Sequence, residues 1–263
     1  MAHIYALVNQ KGGVGKTTTA INLGAYLAHL GQRVLIVDLD PQANATSCLG
    51  VDKNAITSGT YEALSGGNAA SAILMNERLK LALLPSSPAM AGAEVELVDE
   101  EDREQRLKRA IQPLANRYDY ILIDCPPSLG LLTLNGLVAA KDGVLVPVQC
   151  EYLALEGLGL LTQTIQRVRQ SLFQGLKVRG VILTMFDPRT KLSSDVVTEV
   201  HRHFPSQVFK SIVPRSVRLA EAPSYGLPIL AYAPSSNGAE AYEGLARELL
   251  RGDGVKPAAT PKE

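Results

Sequence analysis

A glycine-rich segment near the start of the sequence has the residue types that bind a polyphosphate. It runs from Gln10 to Thr18 and reads QKGGVGKTT. Where such a turn joins a strand to a helix, several backbone N–H groups and the positive end of the helix dipole point at one place, which suits a chain of phosphate groups. Glycine is needed there because larger side chains would block the close approach of the phosphates.

Individual residues of this segment have expected roles. Lys16 is expected to reach the β- and γ-phosphates, and the Thr17 hydroxyl is expected to ligate Mg²⁺. The general pattern for such loops begins with glycine, but Gln10 occupies that position here, and Lys11 follows it directly. The alternative is an ordinary glycine-rich turn beside a solvated lysine, and the strand and helix patterns on either side disfavour it.

Three aspartates stand where apolar, strand-length runs end. Asp38 and Asp40 lie at the end of VLIVDLD, and Asp124 ends the run YILID. In a parallel sheet the carboxyl ends of the strands face the crevice where ligands bind. We expect Asp124 to hold Mg²⁺ through its water shell. Asp38 and Asp40 are two residues apart and so share one face of an extended chain, which makes both candidates for the metal site. One division places Asp38 in the metal shell and has Asp40 orient an attacking water, but the sequence leaves the division between them open.

The elements that position these residues follow from the alternation of strand-length apolar runs with segments of helical period, which is typical of βαβ units. We expect one α/β domain over residues 1–251, a mainly parallel twisted sheet with helices on both faces, and a flexible tail over residues 252–263. The predicted strands are Ile4–Val8, Val34–Asp38, Leu79–Leu84, Tyr120–Asp124, Gly143–Val148, Val178–Met185 and Val208–Ile212. The predicted helices are one that follows Lys16 and is ended by Gly31, then Glu104–Tyr118, Gly130–Ala140, Leu155–Phe173, Ser193–Phe204 and Ala239–Leu250.

The composition of the 263 residues excludes several classes of protein. Lys plus Arg and Asp plus Glu each number 26, and 46% of the residues are hydrophobic, which excludes a disordered chain. The three cysteines are widely spaced and show no disulfide or metal-binding pattern, which favours a reducing, cytoplasmic environment. The sequence shows no export signal and no apolar run long enough to span a membrane.

Charge is unevenly distributed along the chain. Seven acidic residues and one arginine lie between Glu94 and Glu104, whereas eight basic and three acidic residues lie between Lys177 and Arg218. The overall charge gives no signature of nucleic-acid binding, so any such binding must come from a local patch. The sequence therefore places the candidate cationic surface in the C-terminal half.

With KGGVGKTT, DLDPQ and IDCPP in this order, the sequence resembles the deviant Walker A ATPases of the P-loop NTPase fold, and most closely the ParA/Soj chromosome- and plasmid-partitioning proteins. Further matches are VPVQCEYLALEGL at Val146–Leu158, TMFDPR at Thr184–Arg189 and VPRSVRLAEAPSYGLPI at Val213–Ile229. The resemblance extends from about Ile4 to Leu250, which is nearly the whole chain.

The resemblance implies a weakly active ATPase that forms an ATP-dependent homodimer, with two nucleotides and Mg²⁺ enclosed between facing subunits. Lys11 would reach the phosphates of the other subunit and act as an arginine finger does, and the catalytic residues would be Lys11, Lys16 and Asp40. Adenine is expected near Met185, Pro214 and Ser216, the last a position where the family commonly has asparagine. The implied phosphate-binding residues are Lys11, Gly12, Gly13, Val14, Gly15, Lys16, Thr17 and Thr18.

The same resemblance implies DNA binding, because residues matching Arg189 and Arg218 are associated with it in ParA-like proteins. Lys191 and Arg215 belong to the same basic segment. The first strand begins at residue 4, so we expect no preceding helix-turn-helix domain and hence contacts to phosphates that are indifferent to base sequence. A ParB-like centromere-binding partner would stimulate hydrolysis, and the protein would lie in the cytoplasm, associated with the nucleoid.

Three other functions share parts of this pattern. A MinD-like positioning ATPase would end in an amphipathic basic helix, which Gly252, Gly254 and two prolines disfavour here, so no membrane partner is expected. A nitrogenase-reductase-like protein would need cysteines that hold an iron–sulfur cluster, whereas Cys125 and Cys150 are better explained as small buried residues. A P-loop biosynthetic ligase or small-molecule kinase stays open, and it would show no stimulation by DNA.

Overall fold

A seven-stranded sheet forms the centre of the structure, a computed structural model that describes residues 1–151 and 154–256. The strand order is β3-β4-β2-β5-β1-β6-β7. All neighbouring strands are parallel except the edge pair β3 and β4, which is antiparallel. The strands are β1 (His3–Leu7), β2 (Val34–Asp38), β3 (Leu74–Asn76), β4 (Leu81–Leu84), β5 (Tyr120–Asp124), β6 (Gly143–Gln149) and β7 (Val178–Thr184).

Helices cover both faces of the sheet. Successive strand side chains point to opposite faces, so Ile4 and Ala6 belong to one apolar core and Tyr5 and Leu7 to the other. The predicted α/β domain with two helical layers is therefore confirmed. The helices are α1 (Lys16–His29), α2 (Asn44–Cys48), α3 (Thr60–Leu64), α4 (Met90–Glu96), α5 (Arg106–Ile111), α6 (Leu131–Ala139), α7 (Ala154–Ser171), α8 (Lys191–His203), α9 (Val217–Glu221), α10 (Ile229–Tyr232) and α11 (Asn237–Gly252).

The register of the three central strands brings the predicted site residues to one level. Leu7 at the end of β1 lies opposite Asp124 at the end of β5, and Asp124 in turn lies opposite Asp38 at the end of β2. The glycine-rich segment begins directly after β1, so its loop and the two aspartates share the carboxyl edge of the sheet.

Six of the predicted strands are confirmed to within about two residues, but the strand predicted over Val208–Ile212 is wrong. One isolated bridge joins Val208 to Val181. Beyond it, the N–H groups of Lys210 and Ser211 donate to the Glu248 carboxylate at 2.8 and 2.7 Å instead of to a neighbouring strand. A side chain on α11 therefore takes the place of a strand partner.

Two further differences have local causes. The helix predicted over Glu104–Tyr118 ends at Ile111, because Pro113 has no N–H to continue it, and a 3-10 turn follows at Gln112–Leu114. The sequence analysis missed β3, a three-residue strand with Leu74 and Met75 exposed, since its side chains show no burial pattern.

The C-terminal end of α11 is anchored to the opposite, amino edge of the sheet. The side chain of Asp253, only 3% exposed, accepts hydrogen bonds from Tyr5 Oη at 2.8 Å and Tyr120 Oη at 3.0 Å, and pairs with Arg179 at 2.8 Å. Asp253 is thus part of the fold, although the flexible tail was expected to begin at Gly252. The remainder of that expected tail, residues 257–263, lies outside the described residues.

Within the described part of the chain, none of the helices has both the length and the apolar character needed to cross a lipid bilayer.

Replacing Asp253 with alanine should lower the free energy of unfolding by about 3 kcal/mol, because a partly buried guanidinium and two tyrosine hydroxyls lose their common acceptor. Urea denaturation at pH 7 measures the change. The matched control is Arg202→Ala, which breaks the exposed pair with Glu199 and should cost less than about 1 kcal/mol. Equal effects of the two substitutions would contradict the anchoring role of Asp253.

Candidate phosphate-binding site at the carboxyl edge of the sheet

The loop between β1 and α1 has a backbone shape that requires glycine. Gly13 and Gly15 have φ values of +74° and +91°, in the left-handed region that other residues rarely adopt. Gly15 is also the N-cap of α1, and within the described residues no side chain caps this helix start. The first N–H groups of α1 are therefore available to an anion, as the sequence pattern predicts.

Two side chains that the sequence analysis did not single out hold this loop in place. Asn9 is buried, donates from Nδ2 to the Pro147 carbonyl at 2.8 Å and accepts from the Lys11 N–H at 3.0 Å. Thr184, at the end of β7, donates its hydroxyl to the Val14 carbonyl at 2.8 Å. The loop is thus tied to β6 and β7 and shaped by the protein itself.

The two lysines of the loop differ in exposure. Lys16 is buried, and its Nζ donates to the Lys11 carbonyl at 3.3 Å. Burial lowers the pKa of Lys16, while the nearby charges of Asp124 and Asp40 act in the opposite direction. Lys11 is partly exposed and lines a cavity of about 460 Å³ with Asp187 and Arg215. Lys16 therefore lies in the interior of the site, whereas Lys11 lies at its open side.

Asp124 is fully buried, and among the described residues neither of its carboxylate oxygens accepts a hydrogen bond of normal geometry, although the Thr17 hydroxyl lies close to it. Burial, followed by the charge of Asp38, raises its pKa well above the ordinary value, against the opposing effect of the Thr17 hydroxyl and the Lys16 ammonium. A buried, unpartnered carboxylate is costly in a folded protein. It marks the place in this site where a cation would bring the largest electrostatic gain.

The donor set beside Asp124 suits Mg²⁺, which prefers hydroxyl, carboxylate and water oxygens. Thr17 and Asp124 supply such oxygens. The described residues contain no group of three or more His, Cys, Asp or Glu side chains that could hold a metal by themselves. A Mg²⁺ ion at this position would therefore take its other ligands from phosphate and water.

Asp38 and Asp40 differ in their contacts, although the sequence places them on one face. Asp38 Oδ2 accepts from the Thr46 N–H at 2.8 Å and the Thr46 hydroxyl at 2.7 Å, and Oδ1 accepts from the Asp40 N–H at 3.2 Å. Burial raises the pKa of Asp38 to about 6. Both oxygens of Asp38 are occupied by the protein, which favours a structural role over the expected place in the metal shell.

Asp40 keeps an oxygen for another partner. Its Oδ1 accepts from the Gln42 N–H at 2.9 Å, while its Oδ2 has no hydrogen bond within residues 1–151 and 154–256. The residue is buried at the same edge as Asp124. Asp40 thus differs from Asp38 in having one carboxylate oxygen without a hydrogen bond from the described residues.

An apolar cavity of about 400 Å³ adjoins the loop at Gly15 and Thr18. Met185, Pro214 and Ser216, the residues expected near adenine, all line it. The Ser216 hydroxyl accepts from the Leu219 N–H at 3.4 Å and so caps α9. The structure brings these three residues together beside the loop, in a cavity whose apolar walls suit a flat aromatic ring.

Three of the four residues expected to bind DNA are arginines paired with acidic side chains. Arg189 pairs with Asp187 at 2.7 Å, which lowers the pKa of Asp187 to about 2, and Lys191 is exposed at the start of α8. Arg215 pairs with Glu151 at 2.7 Å and lies near Asp187. Arg218 pairs with Glu221 at 3.0 Å.

Arg218 lines a separate groove with Tyr232. All three arginine pairs lie at the surface. Exposed ion pairs contribute little free energy, so these arginines can exchange a carboxylate for a phosphate at low cost.

The cysteines that an iron–sulfur protein would use are buried side chains here. Cys125 and Cys150 are each 1% exposed. The Cys125 sulfur leaves no room for a side chain at Gly136, since a Cβ added to Gly136 would lie 2.5 Å from this sulfur. This packing agrees with their interpretation as small core residues.

Comparisons with known proteins identify close relatives. Residues 2–178 match a family described as an AAA domain. A chromosome partitioning protein ParA from Myxococcus xanthus (strain DK1622) is 54% identical over 257 residues, 97% of this chain and 90% of that protein. The sporulation initiation inhibitor protein Soj from Bacillus subtilis (strain 168) is 51% identical over 250 residues, 95% of this chain and 98% of that protein.

A solved structure named for a different activity is also similar. It is a cobyrinic acid a,c-diamide synthase from Mycobacterium smegmatis with bound ADP and magnesium. The two chains are 40% identical, with a TM-score of 0.85, and the match covers 99% of this chain and 100% of the other. The fold of this chain is thus one that holds ADP with magnesium in a similar protein.

Replacing Asp124 with asparagine should stabilise the ligand-free protein by about 1 to 2 kcal/mol at pH 8, since it removes a buried charge without a partner. The carboxyl ionises near pH 4 in the unfolded chain but only at higher pH in the folded protein. The native-state penalty therefore grows as pH rises above 4, and the gain from the substitution should be smaller at pH 5 than at pH 8.

Urea denaturation in EDTA at both pH values measures this gain. Asp38→Asn is the matched comparison, because it also removes a buried charge but leaves fewer acceptors for the three donors that face it, so its effect on stability should be less favourable than that of Asp124→Asn. Destabilisation by Asp124→Asn at pH 8 would show that the carboxylate has a stabilising partner after all.

Proposed function

The chain belongs to the ParA/Soj family of chromosome-partitioning ATPases, and from that membership we propose that it uses ATP to partition DNA. One observation carries the proposal: the unpartnered Asp124 carboxylate lies beside Thr17, Lys16 and the glycine loop. Phosphate groups with a divalent cation would complement these charges together, because the loop and Lys16 attract the anion while Asp124 attracts the cation.

ATP with Mg²⁺ is the proposed ligand. The loop N–H groups and Lys16 would hold the β- and γ-phosphates, and the apolar cavity at Met185 and Pro214 would hold the adenine. Thr17 and Asp124 would hold Mg²⁺, Asp124 through its water shell, and the ion would neutralise charge on the phosphates. Asp40, with its free oxygen, would orient the attacking water.

Hydrolysis would be completed by Lys11 from a second subunit. Lys11 lies at the open side of the site, and a Cβ added at the adjacent Gly12 would meet no atom within 4 Å. A cation supplied only in the dimer stabilises charge on the transferring phosphoryl group, as an arginine finger does, by about 10³ to 10⁵ in rate. This range is roughly 4 to 7 kcal/mol, so hydrolysis would depend on dimer formation.

DNA binding would follow from the same dimer. Two subunits would present two sets of Arg189, Lys191, Arg215 and Arg218, and nonspecific contacts to phosphates strengthen with each added cation. A ParB-like partner would stimulate hydrolysis and so release the protein from DNA. The protein would act in the cytoplasm, associated with the nucleoid.

The similarity to the Mycobacterium smegmatis diamide synthase favours one second candidate, a biosynthetic ligase of the P-loop fold. Such an enzyme would turn over ATP with a small-molecule substrate and show no stimulation by DNA. The ParA relative is the more similar in sequence, at 54% against 40% identity. ATPase assays with and without DNA and a ParB-like protein separate the two functions.

Replacing Gly12 with valine should permit ATP binding but block dimer closure, since a Cβ at this position meets no atom of the same subunit within 4 Å and the added bulk would face the opposing loop. Light scattering with ATP measures the mass of the particle, and a fluorescent ATP analogue measures binding. Gly12→Ala is the matched control and should weaken the dimer less. An ATP-dependent dimer of the valine variant would contradict the assignment.

Replacing Arg218 with glutamate should abolish ATP-dependent retention of DNA while the ATP-dependent dimer persists. The reason is that each dimer loses two phosphate contacts and gains two repulsive charges. Gel shift in ATP and in ADP measures retention. Arg78→Glu, an exposed site at the amino edge of the sheet, is the control and should retain DNA. Unchanged retention by the Arg218 variant would count against the assigned surface.

A further inference from the structure

A closed ring of hydrogen bonds surrounds Asp40. The Asp40 N–H donates to Asp38 Oδ1 at 3.2 Å, and the Thr46 hydroxyl donates to Asp38 Oδ2 at 2.7 Å. The Ser86 N–H donates to the Thr46 hydroxyl oxygen at 2.9 Å, and the Ser86 hydroxyl donates to the Asp40 carbonyl at 2.8 Å. All four residues are buried, with at most 5% of any one exposed. The ring therefore begins and ends on the backbone of Asp40.

The ring fixes the direction in which the Asp40 side chain leaves the backbone. Asp38 holds the N–H of Asp40 and Ser86 holds its C=O, so the residue cannot rotate without breaking a buried hydrogen bond. The Ala43 N–H adds a second bond to the same carbonyl at 2.9 Å. Buried networks with every member satisfied hold their members rigidly. The Gln42 N–H, which donates to Asp40 Oδ1 at 2.9 Å, then fixes the carboxylate on this rigid backbone and so the position of its free oxygen.

Ser86 reaches this ring from a distant part of the chain. It follows β4, and the preceding residue, Pro85, has its carbonyl held by the Thr60 N–H at 2.8 Å and the Thr60 hydroxyl at 3.1 Å. Thr60 is itself fully buried at the start of α3. The outer part of the sheet is thus connected to Asp40 through a serine that lies outside every motif of the sequence analysis.

We propose that Ser86 and Thr46 are positioning residues for ATP hydrolysis, which act by holding Asp40 and not by touching the nucleotide. The inference rests on the proposed function, in which Asp40 orients the attacking water. Their side chains bond to Asp38 and the Asp40 backbone and to no residue of the glycine loop among the described contacts. Their loss should therefore slow the chemical step and leave ATP affinity unchanged.

The magnitude follows from the bonds that are lost. Loss of a buried hydrogen bond loosens the residue that it held, and small displacements of a reacting group carry large costs in rate. We expect Ser86→Ala and Thr46→Val each to lower kcat about tenfold, with the Kd for a fluorescent ATP analogue within about twofold of wild type. Thr46→Ser keeps the hydroxyl and should restore kcat to within about twofold.

The experiment measures kcat, the KM for ATP and analogue binding of the full chain with DNA present, and checks folding by urea denaturation. Ser71→Ala is the matched control, since its hydroxyl also donates to a backbone carbonyl at 2.8 Å, but in an exposed turn. Its kcat should equal that of wild type. In an Asp40→Ala background, Ser86→Ala should have less than a twofold further effect, because a residue that acts through Asp40 has nothing left to position.

The outcomes separate the two proposals. A wild-type protein without ATP hydrolysis would overturn the proposed function and this inference with it. A hydrolysing wild type with unchanged kcat in folded Ser86→Ala and Thr46→Val would overturn this inference alone. Loss of ATP affinity in parallel with kcat would also overturn it, since the ring would then shape the binding site. If Ser86→Ala fails to fold, the comparison of Thr46→Val with Thr46→Ser decides.

Discussion

An ionisable carboxyl group without a partner at the carboxyl edge of the sheet is the constraint on which the rest of this structure depends. Asp124 lies in the middle strand of the site, and the burial that raises its pKa also lowers that of Lys16. Burial of the Asp124 carboxyl group and the Lys16 ammonium group lowers the stability of the fold unless other interactions offset its cost. The two apolar cores on either side of the sheet supply that compensation, and a charged ligand would complete it.

Much of the fold could be predicted from the sequence, because its signals are local. Strands β1, β2 and β5 are continuous apolar runs buried on both faces, and α1 follows a loop whose glycines have no substitute at positive φ. The positions of Asp38, Asp40 and Asp124 at strand ends could be predicted because each lies at the end of such an apolar run or just after it. The strand predicted over Val208–Ile212 was wrong for a different reason: its composition suits a strand, but the distant Glu248 carboxylate accepts from the N–H groups of Lys210 and Ser211.

The parts that the sequence analysis missed depend on contacts between distant residues. Asn9 and Thr184 fix the glycine loop through carbonyl groups, and neither belongs to the pattern that identified it. The different hydrogen bonds of Asp38 and Asp40 could not be predicted from spacing, because Thr46 supplies the donors to Asp38 and Ser86 the donor to the Asp40 carbonyl from elsewhere in the chain. A serine in a polar turn gives no signal of this kind until the fold brings it to its partner.

The anchor at Asp253 has a consequence for how the chain is made. Tyr5 and Tyr120, which donate to it, belong to β1 and β5, and Tyr242 on α11 also bonds to Thr19 of α1 at 3.1 Å. A ribosome therefore synthesises the glycine loop and the aspartate-bearing strands long before the helix that holds them together. During translation the emerging protein has the residues of its site without this restraint until α11 and Asp253 have been made.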